Sequence, residues 1–179
     1  MKVFFELLYN LSILVSISII SGFIGKRENK YWRRALFQGI LFGSAAVIGM
    51  LNPLVVTNGL IFDARSVMIS LAGLFFGPLA AAISGCMALS LRVSEGGVGT
   101  TVAVLEIFFS AAMGSILYYK NKQLNCEISV KQLLFMGIIV HVVMLLLLST
   151  IPGNNGALIV KLIGVPALIV IKEIGRAHV

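Results

Sequence analysis

The segment from Asn58 to Gly99 constrains the fold more than any other part of the chain, because its apolar run is cut by Gly77-Pro78. Charged side chains bracket this run, namely Asp63, Arg65, Arg92 and Glu95. If the run forms one helix, its two arginines lie on opposite sides of a membrane. If the chain turns back at Gly77-Pro78, both arginines lie on the same side and can act together.

The amount of apolar sequence identifies the class of protein. Of the 179 residues, 59% are hydrophobic and 12% are charged, and the mean hydropathy is +1.03. A soluble core of this size cannot bury that much apolar surface, and the continuous apolar runs favour helices over a barrel. We therefore expect an all-α polytopic protein of the plasma membrane, a bundle of about six to seven transmembrane segments with a helical hairpin broken at Gly77-Pro78.

Basic residues are concentrated in two short segments between apolar runs, within a chain of net charge +7. The first segment contains Lys26, Arg27, Lys30, Arg33 and Arg34, and the second contains Lys120, Lys122 and Lys131. Such clusters beside membrane helices are typical of cytoplasmic loops. Membrane lipid is therefore the expected partner of these charges, no nucleic acid is expected, and the N-terminus is predicted to lie outside.

The remaining apolar runs give the helix positions. We expect helices at about residues 3–24, 35–51, 100–119, 132–150 and 157–171, with hairpin arms at 60–76 and 78–91 or one helix at 66–91. The first run contains Glu6 and Asn10 and lacks a signal-peptide cleavage site, so it is predicted to be a membrane helix. The hairpin makes both basic segments cytoplasmic, which favours it. Arms of about 14 to 17 residues are shorter than the roughly 20 of a full span, so we expect them to be tilted or partly re-entrant.

Four strings resemble a known receptor family: MLNP from Met50, IFDARS from Ile61, SLAGLFFGP from Ser70 and LRVSEGGVG from Leu91. Together they are similar to the LytS/YhcK-type five-transmembrane receptor domain, over about residues 35–171. The resemblance implies the membrane input module of a bacterial sensor histidine kinase or diguanylate cyclase. It also implies phosphorelay signalling connected with cell-wall or autolysis control, small carboxylate ligands, and a homodimer of the full-length receptor.

Charge and glycine near the two arginines predict a site for a small extracellular anion. The candidate ligand-binding residues are Arg65, Arg92, Asp63, Gly96, Gly97, Gly99, Thr100 and Glu106. Arginine forks suit carboxylate or phosphate, and glycines before a helix N-terminus expose N–H groups. In the alternative interpretation, Asp63 and Glu95 neutralise the arginines as interface anchors, and the glycines only form a turn. Glu106 is also a candidate partner for Lys161.

No catalytic motif, cofactor motif or metal-ligand spacing is found, and Cys86 and Cys126 are isolated. The chain is therefore not expected to be an enzyme, although the full-length protein can carry a kinase or cyclase. The rival hypothesis is the substrate-binding subunit of a solute transporter, based on a fainter likeness to vitamin transporters in the GxxxGP hairpin. A third is a purely structural fragment.

The last seven residues, EIGRAHV from Glu173, resemble the translation of a sequencing adapter. We therefore expect residues 1–172 to form the transmembrane sensor domain, and the natural protein to continue after Lys172 into an output domain.

Overall fold

The structure is a computed structural model, and it describes residues 2–28, 30–51, 54–57, 60–62, 65–97 and 99–149. The predicted last helix at 157–171, Lys161, Asp63 and the adapter-like segment lie outside these residues.

The described chain forms six helices, and its other regular structure is one pair of short strands. The predicted helical membrane architecture is therefore confirmed. The elements are α1 Lys2–Arg27, α2 Tyr31–Leu51, β1 Leu54–Thr57, β2 Leu60–Phe62, α3 Arg65–Phe76, α4 Pro78–Glu95, α5 Thr100–Leu124 and α6 Val130–Ser149. Spans long and apolar enough to cross a membrane are Tyr31–Leu51, Thr100–Leu124 and Val130–Leu147. Large apolar side chains such as Phe23, Phe108 and Phe135 are exposed on the outside, as lipid contact requires.

The first arm of the hairpin is shorter than predicted. Residues Leu60–Phe62, assigned from the sequence to a helix, instead pair as β2 with β1 in antiparallel register, with Leu54 opposite Phe62. The helical arm α3 begins only at Arg65 and has 12 residues, whereas α4 has 18. Because α3 is about 18 Å long, it does not cross a full hydrocarbon core by itself.

Gly77 separates the two arms and has a backbone conformation that is almost exclusive to glycine. Its φ is +88° and its ψ is −177°. Pro78 then occupies the first turn of α4, where its missing N–H has no consequence for the helix. A Cβ on Gly77 would meet the hydroxyl of Tyr31 and the ring of Tyr118. The turn therefore lies against the start of α2 and the end of α5.

Close backbone contacts show the directions of the core helices. A Cβ on Gly39 of α2 would lie 3.1 Å from Ala80 Cα of α4, and one turn later a Cβ on Gly43 would lie 3.0 Å from Ser84 Cα. Thus α2 and α4 run parallel. Since α4 starts at the end where α2 starts, α3 must run in the opposite direction to both. The Gly77-Pro78 break is therefore a hairpin, and a continuous helix over residues 66–91 is ruled out.

Helices α3 and α5 also run parallel and pack through glycine. A Cβ on Gly73 would lie 3.0 Å from the carbonyl carbon of Gly114, and one on Gly114 would meet the carbonyl oxygen of Ser70. Small residues allow helices to approach this closely in lipid, where packing supplies much of the association energy. The four helices α2 to α5 form the core.

The outer helices α1 and α6 are attached to this core by polar contacts near one end. Gln38 Nε2 of α2 donates to the carbonyl oxygen of Ser21 in α1 at 2.9 Å. Between α5 and α6, Asn121 and Gln132 exchange two side-chain hydrogen bonds of 3.1 and 2.9 Å. Both contacts are close to the basic segments.

The bundle therefore has two chemically different ends. We call one the basic end, formed by the Gly77 turn and by the α1–α2 and α5–α6 connections. We call the other the arginine end, formed by the start of α3, the end of α4 and the start of α5.

Candidate functional site at the arginine end

Both arginines of the interrupted segment lie at the arginine end. Arg65 is the first residue of α3, and Arg92 is in the last turn of α4. Measured along their helices from the Gly77 turn, the two positions lie at about 18 Å and about 22 Å, so Arg92 is roughly one helical turn further out. The hairpin thus places them on one side of the protein.

Arg65 forms a buried ion pair with Glu106 of α5. Its Nη2 donates to Glu106 Oε2 at 2.7 Å, and the two side chains are only 11% and 4% exposed. A charge-assisted bond in such low-dielectric surroundings is strong, and either charge alone would be costly to bury. This pair joins α3 to α5 at a level between the Gly73–Gly114 contact and the arginine end.

Arg92 has a looser and more local partner. Its Nη1 lies 3.3 Å from Glu95 Oε2, three residues further along the same helix. The side chains are 23% and 37% exposed. Exposed pairs of this kind contribute little to stability because water and salt screen them.

The turn from α4 to α5 explains two of the predicted glycines. Gly96 and Gly97 have φ values of +67° and +98°, which other residues adopt at a cost. The Gly96 N–H donates to the Arg92 carbonyl oxygen at 3.2 Å, and the Thr100 N–H donates to the Gly97 carbonyl oxygen at 3.1 Å. Gly99 is the N-cap residue of α5 and supplies no side-chain cap. The turn thereby connects the end of α4 directly to the positive end of the α5 dipole.

Two buried polar atoms beside this turn have no hydrogen-bond partner in the part of the chain that the structure describes. They are Arg92 Nε and Thr100 Oγ1. An unsatisfied buried donor is costly, and such atoms are normally bonded to protein, water or a ligand. A guanidinium N–H, a hydroxyl and a helix N-terminus together form a donor set that suits an anion.

The structure separates the predicted site residues into two groups. Arg92, Gly96, Gly97, Gly99 and Thr100 lie together around the α4–α5 turn. Arg65 and Glu106 form the ion pair between α3 and α5.

Two further residues lie outside the described part of the chain. They are Asp63, a candidate ligand-binding residue that the alternative interpretation pairs with the arginines, and Lys161, a candidate partner of Glu106. The Arg65–Glu106 pair was not predicted from the sequence. A signal for it was present, because Arg65 and Glu106 are charged residues on two different apolar segments, and charged residues inside a membrane usually pair.

Comparison with known proteins agrees with this architecture. The model of the five-transmembrane receptor family, described as 5TMR of 5TMR-LYT, matches residues 12–177. The match begins well before the region in which the sequence motifs resemble the family. No curated protein and no solved structure matches the chain. With most of its length matched, the chain belongs to the family of LytS-type five-transmembrane receptor domains, which are membrane sensory input modules rather than catalytic domains.

Proposed function

We propose that this chain is the ligand-sensing input domain of a LytS-like signalling receptor and that it binds a small extracellular anion at the arginine end. The observation that supports this proposal most directly is a pair of buried atoms beside the N-terminus of α5, Arg92 Nε and Thr100 Oγ1, for which the described residues provide no hydrogen-bond partner. A carboxylate or phosphate group presents several acceptor oxygens, which suits donors of these two kinds.

Arg92 is the residue of this site that can exchange partners. Its bond to Glu95 is long and partly exposed, so little binding energy is lost when a ligand displaces Glu95. Arg65 differs, because its short buried bond to Glu106 competes strongly with any ligand. The anion therefore binds first at Arg92, Thr100 and the α4–α5 turn.

Binding there can change the arrangement of the helices. The anion would draw the end of α4 and the start of α5 together, and α5 carries Glu106 and, at its other end, Asn121, which bonds to Gln132 of α6. A signal requires that the two arrangements bind the anion with different affinity. The output would be a histidine kinase in a phosphorelay or a diguanylate cyclase elsewhere in the receptor, connected with cell-wall control as the family resemblance implies.

The proposal requires the basic end to be cytoplasmic and the N-terminus to be outside. The test replaces Cys86 and Cys126, both exposed, with serine and introduces Val93→Cys or Lys122→Cys. An impermeant thiol reagent applied to whole cells should label position 93 and should leave position 122 unmodified. Labelling of position 122 alone would reverse the orientation and overturn an extracellular site.

Binding is tested on the purified chain with acetate, other small carboxylates and inorganic phosphate, at constant ionic strength. At least one anion should bind to the unaltered chain, and Arg92→Gln should weaken its binding. Arg33→Gln, which removes the same charge at the basic end, is the matched control and should bind normally. Absence of binding by every anion, or equal binding by both variants, would contradict the proposal. Anion uptake that depends on a partner ATPase would instead identify a transport subunit.

A further inference from the structure

The fold brings two basic segments that are distant in sequence to the same end of the bundle. The first segment runs from the end of α1 into the start of α2, and the second runs from the last turns of α5 to the start of α6. Tyr31, the first residue of α2, and Tyr118, near the end of α5, both lie against Gly77. Arg34 is within one helical turn of Tyr31, and Lys120 and Lys122 are within about one turn of Tyr118.

The resulting surface is strongly positive. Its basic side chains, all of them exposed, are Lys26, Arg27, Lys30, Arg33, Arg34, Lys120, Lys122 and Lys131. Among the described residues of these two connections, the opposing acidic side chains are Glu28 and Glu127. This excess of positive charge is far larger than at the arginine end, where each arginine has a carboxylate partner.

Apolar and aromatic groups accompany the charge. Trp32 is 55% exposed, and the Arg33 guanidinium lies 5.6 Å from its ring centroid. Beside Lys122, an open groove of about 420 Å³ is lined in part by Leu74, Phe75 and Ile128, with Glu127 also in its wall. Aromatic residues favour the headgroup level of a bilayer, so charge and apolar contact are presented together at that depth.

We propose that the basic end is a binding surface for anionic phospholipids, in which residues of both connections contact the same lipid headgroups. The occupant is a phospholipid because the surface combines phosphate-binding cations with apolar contacts on a chain that already spans the membrane. Each basic residue near an anionic surface contributes about a fivefold preference at low ionic strength. This inference does not depend on the anion site at the other end.

The chain contains a single tryptophan, Trp32, which provides a direct reporter. The chain is reconstituted in equal mixtures of phosphatidylcholine and phosphatidylglycerol, with brominated acyl chains on one lipid or the other. Brominated phosphatidylglycerol should quench Trp32 more strongly than brominated phosphatidylcholine. Added salt should reduce the difference, because it screens the charges.

The decisive variant removes charge from the second basic segment, which is distant in sequence from Trp32. Lys120→Gln combined with Lys122→Gln should lower the phosphatidylglycerol preference at Trp32 by roughly tenfold or more, although both positions are on α5. Lys2→Gln, at the opposite end of α1, is the control and should leave the preference unchanged. Circular dichroism and size-exclusion profiles establish that each variant is folded.

Two results would overturn the inference. Equal quenching by the two lipids in the unaltered chain would show that the surface has no preference for anionic headgroups. The second result is a preference for phosphatidylglycerol that falls in Arg34→Gln but is unchanged in a folded variant with both Lys120→Gln and Lys122→Gln. It would show that the two basic segments act separately.

Discussion

The two ion pairs at the arginine end use the same residue types in opposite ways. Arg65 and Glu106 join two helices, bond at 2.7 Å and are almost completely buried. Arg92 and Glu95 are neighbours on one helix, bond at 3.3 Å and are partly exposed to the surroundings. The comparison indicates that burial and the number of helices joined, rather than the residue types, decide how strongly an ion pair stabilises the fold and how easily it exchanges partners.

The largest expected effect comes from breaking the buried pair. Glu106→Ala removes the buried carboxylate to which Arg65 bonds between α3 and α5 and should lower the free energy of unfolding by about 3–5 kcal/mol. The measurement is unfolding in mixed detergent micelles. Glu95→Ala is the matched control, and a loss of equal size in both variants would remove the distinction between the pairs.

Replacing both charges refines the same prediction. Arg65→Met combined with Glu106→Leu should recover most of the stability lost in Glu106→Ala, because apolar side chains of similar volume replace a buried ion pair at little cost. If the double variant is as unstable as the single one, the loss of stability arises from packing rather than from breaking the ion pair.

The exposed pair should affect ligand binding more than stability. Arg92→Ala should weaken anion binding by about 1.5–3 kcal/mol, one to two decades, since a charge-assisted hydrogen bond is lost. Arg92→Lys should restore little, because an ammonium cannot reproduce the planar fork. Isothermal titration measures the affinity, and thermal unfolding should change only slightly. A severe loss of stability would mean that Arg92 is structural.

The glycine contact between α3 and α5 should matter somewhat less than the buried pair. Gly114→Ala places a methyl group against the Ser70 carbonyl oxygen and the Gly73 backbone, and overpacking of this kind costs about 1–3 kcal/mol. The control is Gly137→Ala on α6, where nothing lies within 4 Å of an added Cβ. Unfolding free energies of the two variants give the comparison, and equal values would show that close α3–α5 packing is not required.

The smallest effect is expected for Glu95 itself. Glu95→Gln removes only a screened surface pair and should change the unfolding free energy by about 0–1 kcal/mol. The same change should strengthen anion binding, because Arg92 loses its competing carboxylate. Weaker binding by this variant would show that Glu95 helps to position Arg92.

A local sequence signal accounts for the β1–β2 pair. The dipeptide Asn58-Gly59 stands between the apolar segments LVVT and LIF, and Asn-Gly between such segments favours a tight hairpin turn. The apolar composition of Leu60–Phe62 suggested a helix because short apolar runs do not distinguish a helix from a strand. This local ambiguity explains the shorter first arm.

The sequence by itself determined the membrane class, the receptor family, the position of the break at Gly77-Pro78 and most helix bounds, because each depends on local composition or on a short motif. The distribution of basic residues favoured a hairpin with both basic segments at one end. The tertiary structure decided between this hairpin and one continuous helix, and it alone showed that Glu106 is a partner of Arg65. These outcomes depend on which helices run parallel. That choice is made by contacts such as Gly39 with Ala80 and Gly73 with Gly114, between residues far apart in the chain, where local patterns carry no information about partners.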